Sequence, residues 1–223
     1  MGAALLHALV AAGQRPVPHK PVETGATPVP TDAEFLRFAA RREDLPLHIV
    51  CPRSFPAPLA PAAAATLTGT VLDPIELVRS AKTAAKHGNF LLVESAGGLL
   101  TPYTARFTAA DLAKALRLPV LLIARNALGT VNHTALAVSE IHRRGLSLFG
   151  IVLVNTTPTS SPDQAFNSSL ITNLTGISPL GIYPFVPAAK LPDLAAALYA
   201  NLHLPPRLAS LLNEPLPRPA SER

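Results

Sequence analysis

A single cysteine, Cys51, stands among the 223 residues. That scarcity excludes a disulfide framework and a cysteine-rich zinc site, and it fits a reducing compartment. Also missing is any apolar run long enough to cross a bilayer, the longest being short segments such as Pro119 to Ala124. The opening stretch, Met1 to Gly13, is apolar but has no positively charged leader, and it passes straight into a helix-and-turn pattern. It reads as a core helix rather than a secretory signal. The expectation is a cytoplasmic protein with no membrane span. No basic stripe interleaved with aromatics is present either. The net charge of +5 is scattered over Arg15, Arg41, Arg42, Arg143 and Arg144, which counts against nucleic acid and suits a small anionic ligand. The glycosylation sequons at Asn132, Asn167 and Asn173 carry no weight in that setting.

What is there is an apolar fraction of 48%, enough for one sizeable core. Leu5, Leu6, Leu9 and Val10 recur at helical spacing before Gly13 stops the helix, and the extended run Pro16 to Val22 follows. Asp32 marks the start of a helix reaching Arg42. After the proline-rich stretch Pro52 to Pro61, Asp73 and Pro74 open a helix to about His87, and the buried-strand run Phe90 to Val93 comes next. The alternation repeats: helix Thr108 to Leu116 and strand Pro119 to Ala124; helix Thr130 to Arg144 and strand Leu148 to Val154; helix Gln164 to Leu174 and strand Leu180 to Tyr183. Helices alternating with short, continuously apolar strands mean an α/β fold with a parallel sheet covered on both faces. The domain expected is residues 1–204, with a loosely attached proline-rich tail over 205–223.

In such a sheet, ligands bind beyond the carboxyl ends of the strands. Four groups fall there. His19-Lys20-Pro21-Val22-Glu23-Thr24-Gly25 offers an ammonium to an anion, although a surface lysine is the simpler reading of spacing alone. Val93-Glu94-Ser95-Ala96-Gly97-Gly98 ends a buried strand in a carboxylate, followed by small residues that let backbone N–H groups approach a ligand. Acidic strand ends hold magnesium in nucleotide hydrolases, and they are also ordinary loop starts. Asn126 to His133 opens a helix whose free N–H groups favour a carboxylate or phosphate, and it reads equally as a capped helix start. Asn155-Thr156 could read a base edge or simply make a turn.

In combination and in this order, the four groups resemble dethiobiotin synthetase over nearly the whole chain. Lys20-Pro21-Val22 with Thr24-Gly25, Thr31-Asp32-Ala33, Val93-Glu94 with Ala96-Gly97-Gly98 and Thr101-Pro102, and Leu128-Gly129 with Asn132-His133 carry the resemblance. It implies a P-loop-NTPase-like α/β fold and a homodimer that joins CO2 to 7,8-diaminopelargonate with ATP and Mg2+. A carbamate on one amine is phosphorylated to a mixed anhydride and attacked by the second amine. By resemblance, Lys20 is the catalytic residue, stabilising the carbamate and the charge that develops in phosphoryl transfer. Thr24 and the turn Leu128, Gly129, Thr130, Val131 and Asn132 bind the substrate, the turn taking its carboxylate across the dimer interface. Asp32 and Glu94 reach the magnesium and the nucleotide. Ser95, Ala96 and Gly97 line the nucleotide, Asn155 and Thr156 read the adenine, and Pro184, Phe185 and Val186 close over it. Ser95 departs from the glycine usual in that loop.

The resemblance also implies a first strand and a Gly-rich loop ending in Gly-Lys-Ser/Thr. Neither is found, since Met1 is followed at once by the helical Gly2-Ala3-Ala4-Leu5-Leu6. Either Met1 is internal to a longer chain or the loop is lost. For these 223 residues alone the expectation is impaired phosphoryl transfer and poor solubility. The alternative function is a non-catalytic or regulatory protein of the same fold that binds ligand and dimerises without turning over ATP.

Overall fold

The computed structural model describes residues 1–187 and 190–202. Contacts group them into a first unit built on Met1–Leu118 and a second that begins at Pro119. The tail expected from 205 onward lies outside the described residues.

In the first unit, α1 (Gly2–Ala11) buries Leu5, Leu6 and Leu9 and stops ahead of Gly13, whose φ of +78° suits a residue without a side chain. Next come β1 (Pro16–His19), β2 (Glu23–Thr24), α2 (Thr31–Ala39), α3 (Leu47–Val50), β3 (Ser54–Phe55) and α4 (Pro61–Leu67). Then follow α5 (Pro74–Ala85), β4 (Phe90–Val93), β5 (Pro102–Thr104), β6 (Phe107–Thr108) and α6 (Ala109–Leu116). Helix α5 starts where the sequence says it should. Pro74 occupies the first turn, and the Asp73 carboxylate accepts from the Ile75 N–H at 2.8 Å. Helix α6 carries a reciprocal cap between Thr108 and Asp111.

β1 and β4 pair in parallel, from Pro16 opposite Phe90 to His19 opposite Val93. Their carboxyl ends therefore coincide, and the next residues, Lys20 and Glu94, leave the ladder together. Around this ladder, Val17, Ala33, Leu45, Val50, Cys51 and Ala84 form one apolar cluster, and Ala3, Leu6, Leu36, Ala39, Ala40 and Leu191 another. Cys51 is buried and donates its thiol to the Arg53 carbonyl at 3.2 Å. Burial, with the Glu23 carboxylate nearby, pushes that thiol up to about 12.

The second unit contains β7 (Val120–Arg125), α7 (Thr130–Arg143), β8 (Leu148–Val154), α8 (Gln164–Thr175) and β9 (Gly181–Tyr183). The last described helix, α9 (Leu191–Asn201), gives its residues as far as Ala195 to the first unit and those from Ala196 to the second. The three strands form a parallel ladder in the order β7-β8-β9, over a cluster of Val138, Ile151, Leu153 and Ile171. At its carboxyl edge Asn126 N–H donates to the Val154 carbonyl at 2.8 Å and Asn155 N–H to that of Tyr183 at 2.9 Å.

Parallel pairing is what the sequence predicts. Hydrogen bonding runs in separate ladders, however, and β5 and β6 form an antiparallel hairpin that the apolar pattern does not announce. The run from Pro16 to Val22 is a strand only as far as His19, because Lys20 N–H turns away to the Val50 carbonyl at 2.7 Å. Helix α2 begins at Thr31, with Pro30 rather than Asp32 in the capping position. Among the described residues no helix is long and apolar enough to cross a membrane.

Candidate active site

Lys20 is only 5% exposed, yet it carries a charge. Its Nζ lies 3.0 Å from Glu94 Oε1 and 3.0 Å from Asp32 Oδ2. The three side chains come from the end of β1, the end of β4 and the first turn of α2. Burial opposes the ammonium, but the Glu94 and Asp32 carboxylates outweigh it, and the pKa of Lys20 moves upward. Lys20 is therefore a fixed cation, held where an anion could replace either carboxylate as its partner.

Asp32 is available for this because another residue serves its helix. The carboxylate of Glu23, itself buried, accepts from the N–H groups of Asp32 at 3.0 Å and Ala33 at 2.9 Å. These are first-turn amides that a helix cannot satisfy internally. Glu23 was visible within the lysine motif, but sequence spacing gave it no role.

Below the cluster, His19 is fully buried, with Nδ1 donating to the Ile49 carbonyl at 2.9 Å and Nε2 lying 3.2 Å from Ser80 Oγ. Burial brings its pKa down to about 4, with the Ile49 carbonyl opposing, so the ring is neutral.

The stretch after Glu94 is shaped by three contacts. Ser95 Oγ donates to the Gly97 carbonyl at 2.9 Å, and Ala96 N–H donates to the hydroxyl of the buried Tyr103 at 3.2 Å. Gly97 sits at φ +74°, and a Cβ there would lie 2.5 Å from Thr101 Oγ1. Only glycine fits. The start of α1 abuts the same carboxylate, since a Cβ on Gly2 would collide with Glu94 Oε2. Helix α1 has no side-chain cap, so its first amides face this corner. The Met1 ammonium is pushed down by burial, against the pull of Glu94. Thr24 lies half-buried in β2, paired with Phe55. Among the described residues no cluster of three or more His, Cys, Asp or Glu side chains could enclose a metal. Asp32 and Glu94 are a pair of oxygen donors, suited to magnesium that keeps waters or phosphate oxygens as its other ligands.

The remaining sequence-predicted residues belong to the second unit. Asn155 and Thr156 follow β8, and Pro184, Phe185 and Val186 follow the adjacent β9, so the Val154 to Tyr183 pairing sets the two segments side by side. Asn155 is half-buried at an open cleft of about 580 Å³ lined also by Asn126, Ser161, Gln164 and Ile182. Thr156 is exposed, and neither it nor Pro184 to Val186 lines that cleft. Leu128 to Asn132 form the start of α7. Gly129 is its cap at φ +91°, no side chain caps it, and Thr130 N–H already donates to the Ala127 carbonyl at 3.0 Å. That leaves the N–H groups of Val131 and Asn132 facing outward for an anion. Sequence reasoning placed Asn126 at the head of the turn and Gln164 at a helix start, but gave neither of them, nor Asn167, a role at this cleft. Asn167 had been noted only as a sequon, but it is buried and hydrogen-bonded.

A family model described as an AAA domain matches residues 1–192. The ATP-dependent dethiobiotin synthetase BioD of Anaeromyxobacter dehalogenans strain 2CP-1 is 48% identical over 202 residues, covering 89% of this chain and 90% of that one. The protein of the same name from Bacillus cereus strain G9842 is 38% identical over 136 residues, 61% of this chain and 56% of that one. Among solved structures, the MinC:MinD cell division protein complex of Aquifex aeolicus covers 88% of this chain and 79% of that chain at 9% identity, with a TM-score of 0.47. With nine-tenths of a 48%-identical relative covered, and a family model matched along most of its length, the chain belongs to the AAA-domain family and, within it, to the ATP-dependent dethiobiotin synthetases.

Proposed function

We propose that this chain is the cyclo-ligase of biotin biosynthesis that uses ATP and CO2 to close diaminopelargonate into dethiobiotin. The observation that carries this reading is the buried Lys20 ammonium, fixed 3.0 Å from both Glu94 and Asp32 at the joint ends of β1 and β4. A carbamate bears a negative charge, and its phosphorylation spreads more charge over the transferred group. A desolvated cation that needs no rearrangement is the stabiliser such a step requires. Lys20 would hold the carbamate, and Thr24 would hydrogen-bond the substrate beside it. The uncapped start of α1 would face the phosphates with its free amides.

Asp32 and Glu94 would hold magnesium, which when bound supplies charge neutralisation at the phosphate oxygens. With those carboxylates so engaged, the Lys20 ammonium would lose its internal partners and turn its donors to the substrate. Ser95, Ala96 and Gly97 would present backbone N–H groups to the nucleotide, held by Tyr103 and by the Gly97 turn. In the second unit Asn155, with Thr156 and the segment Pro184 to Val186, would hold the adenine. The outward amides of Val131 and Asn132 would take the substrate carboxylate. A homodimer in the cytoplasm is part of this reading, and Leu128, 90% exposed beside that helix start, with exposed Leu136 and Leu174, supports a covered surface there.

The test is formation of dethiobiotin from diaminopelargonate, ATP and bicarbonate by the purified chain, beside a Lys20→Met variant. Slow formation of product that depends on all three substrates and on Lys20 is the expected result. A Lys20→Met variant as active as the parent would overturn the assignment of the reaction to this cluster.

A further inference from the structure

Four neutral amides and one carboxylate in the second unit form a chain of hydrogen bonds with a direction. Asn126 is 2% exposed and every polar group it has is engaged. Its Nδ2 donates to Asn155 Oδ1 at 2.8 Å, and its Oδ1 accepts from Asn167 Nδ2 at 2.9 Å. Its own N–H donates to the Val154 carbonyl, and its carbonyl accepts from Gln164 Nε2 at 3.0 Å. Asn167, also buried, reaches the Asp163 carboxylate with the same Nδ2 at 3.4 Å. Asp163 is held below the usual carboxylate range, chiefly by Ser161 and also by Asn167, so it is ionised and can only accept.

An amide can be turned end for end at little cost when nothing distinguishes its oxygen from its nitrogen. Here the choice is made at the far end. Asn167 must face Asp163 with its nitrogen, so Asn126 must offer Asn167 its oxygen. Asn126 then has only its nitrogen for Asn155, whose Oδ1 is thereby turned inward. The Asn155 nitrogen has no partner among the described residues, and it stands at the cleft.

Resting on the reading of this cleft as the base site, we propose that Asn126, held by Asn167, is a positioning residue that locks the Asn155 amide in one orientation and so makes the site discriminate 6-amino from 6-oxo purines. Adenine presents an acceptor at N7 and a donor at N6, which pair with the amide's nitrogen and the spare lone pair of its oxygen. A 6-oxo purine presents two acceptors along the same edge, and one meets the amide oxygen. If the amide turned, its oxygen would face N7 and its nitrogen the 6-position, so adenine would lose both bonds while a 6-oxo purine would make one bond in either orientation, and the preference would fade.

The experiment compares the dissociation constants of ATP and ITP, measured by calorimetry on the full chain and on variants whose melting curves show them folded. Asn126→Asp removes the donor toward Asn155, and Asn167→Ala removes the anchor while leaving Asn126 in place. Each is expected to lower the ATP-over-ITP preference at least tenfold, with ATP weakened and ITP unchanged. A merely structural role would weaken both nucleotides alike and would overturn the proposal. Should Asn126→Asp fail to fold, Asn167→Ala alone decides: an unchanged ratio overturns the lock. Asn155→Ala separates the two levels. If it abolishes the preference while the Asn126 and Asn167 variants keep it, the lock is wrong and the base site stands. If it leaves the preference intact, the base-site reading falls and the lock with it.

Discussion

The first unit builds its site from charges and the second builds its own from neutral amides. Around Lys20, an ammonium lies 3.0 Å from each of two carboxylates, and a third carboxylate, Glu23, holds the helix that carries Asp32. Around Asn155, the hydrogen bonds settle which end of each amide faces which neighbour, Asp163 is the charge that fixes the choice, and the proposed selectivity rests on that order. Charge gives strength where electrons move, because a desolvated cation acts on whatever negative charge develops beside it. Amides give discrimination, because they offer both a donor and an acceptor on a rigid plane. A reaction that must both transfer a phosphoryl group and choose a nucleotide needs both.

Lys20→Met strikes the charged region hardest. Dethiobiotin formation should fall about 10²- to 10³-fold, in turnover more than in substrate affinity, as is usual for removing a preorganised transition-state partner. A loss confined to the Michaelis constant would mean that the two regions do the same kind of work.

Acid should separate the regions next. His19 has an ordinary value of 6.5 and is brought down to about 4 in the fold. The unfolded chain therefore takes up a proton that the folded chain resists. Stability from this group is complete above pH 6.5 and is lost as the pH falls toward 4, a change on the order of 3 kcal/mol. Urea midpoints of the parent and a His19→Gln variant, taken on both sides of that window, should converge at the acid end. The amides of the second unit do not titrate and contribute nothing to that slope.

Asn155→Ala should weaken ATP binding by about 1–3 kcal/mol, seen by calorimetry, with little effect on turnover at saturation. Smallest is Glu23→Gln, which keeps a hydrogen-bonding group at the α2 start but removes its charge. About 1 kcal/mol of stability should go, read as a shift in the urea midpoint. A much larger loss would show that Glu23 positions the Lys20 cluster as well as the helix.

The charged region was the more legible in the sequence. A lysine after a strand, an acid ending a buried strand and an Asp at a helix start are each positioned by elements whose periodicity is plain, and β1 and β4 need only pair in parallel for Lys20 and Glu94 to meet. Helices α5, α6 and α7 were readable for the same reason, from Asp73-Pro74, from Thr108 and from the Gly129 turn. The amide chain was not legible. Asn126 and Asn167 lie 41 positions apart, and nothing in an asparagine's neighbours says whether it will make a turn or be buried. Asn167 even carried a misleading signal, a sequon that its burial makes inaccessible. Glu23 was missed because a carboxylate that caps a helix eight positions away leaves no local pattern. The short β2–β3 pair, the β5–β6 hairpin and α4, which starts on the last proline of a proline-rich stretch, depend on tertiary contacts more than on periodicity.

The burial of Cys51 has a practical consequence. A thiol with a pKa of about 12 is almost wholly protonated at neutral pH and shielded from solvent, so neither maleimides nor mild oxidants will find it while the chain is folded. Because it is the sole cysteine in the sequence, one introduced at an exposed position such as Val71 would be the single reactive handle on the folded protein. A fluorophore placed there reports on that surface alone, and slow labelling of Cys51 itself becomes a clock for how often the first unit opens.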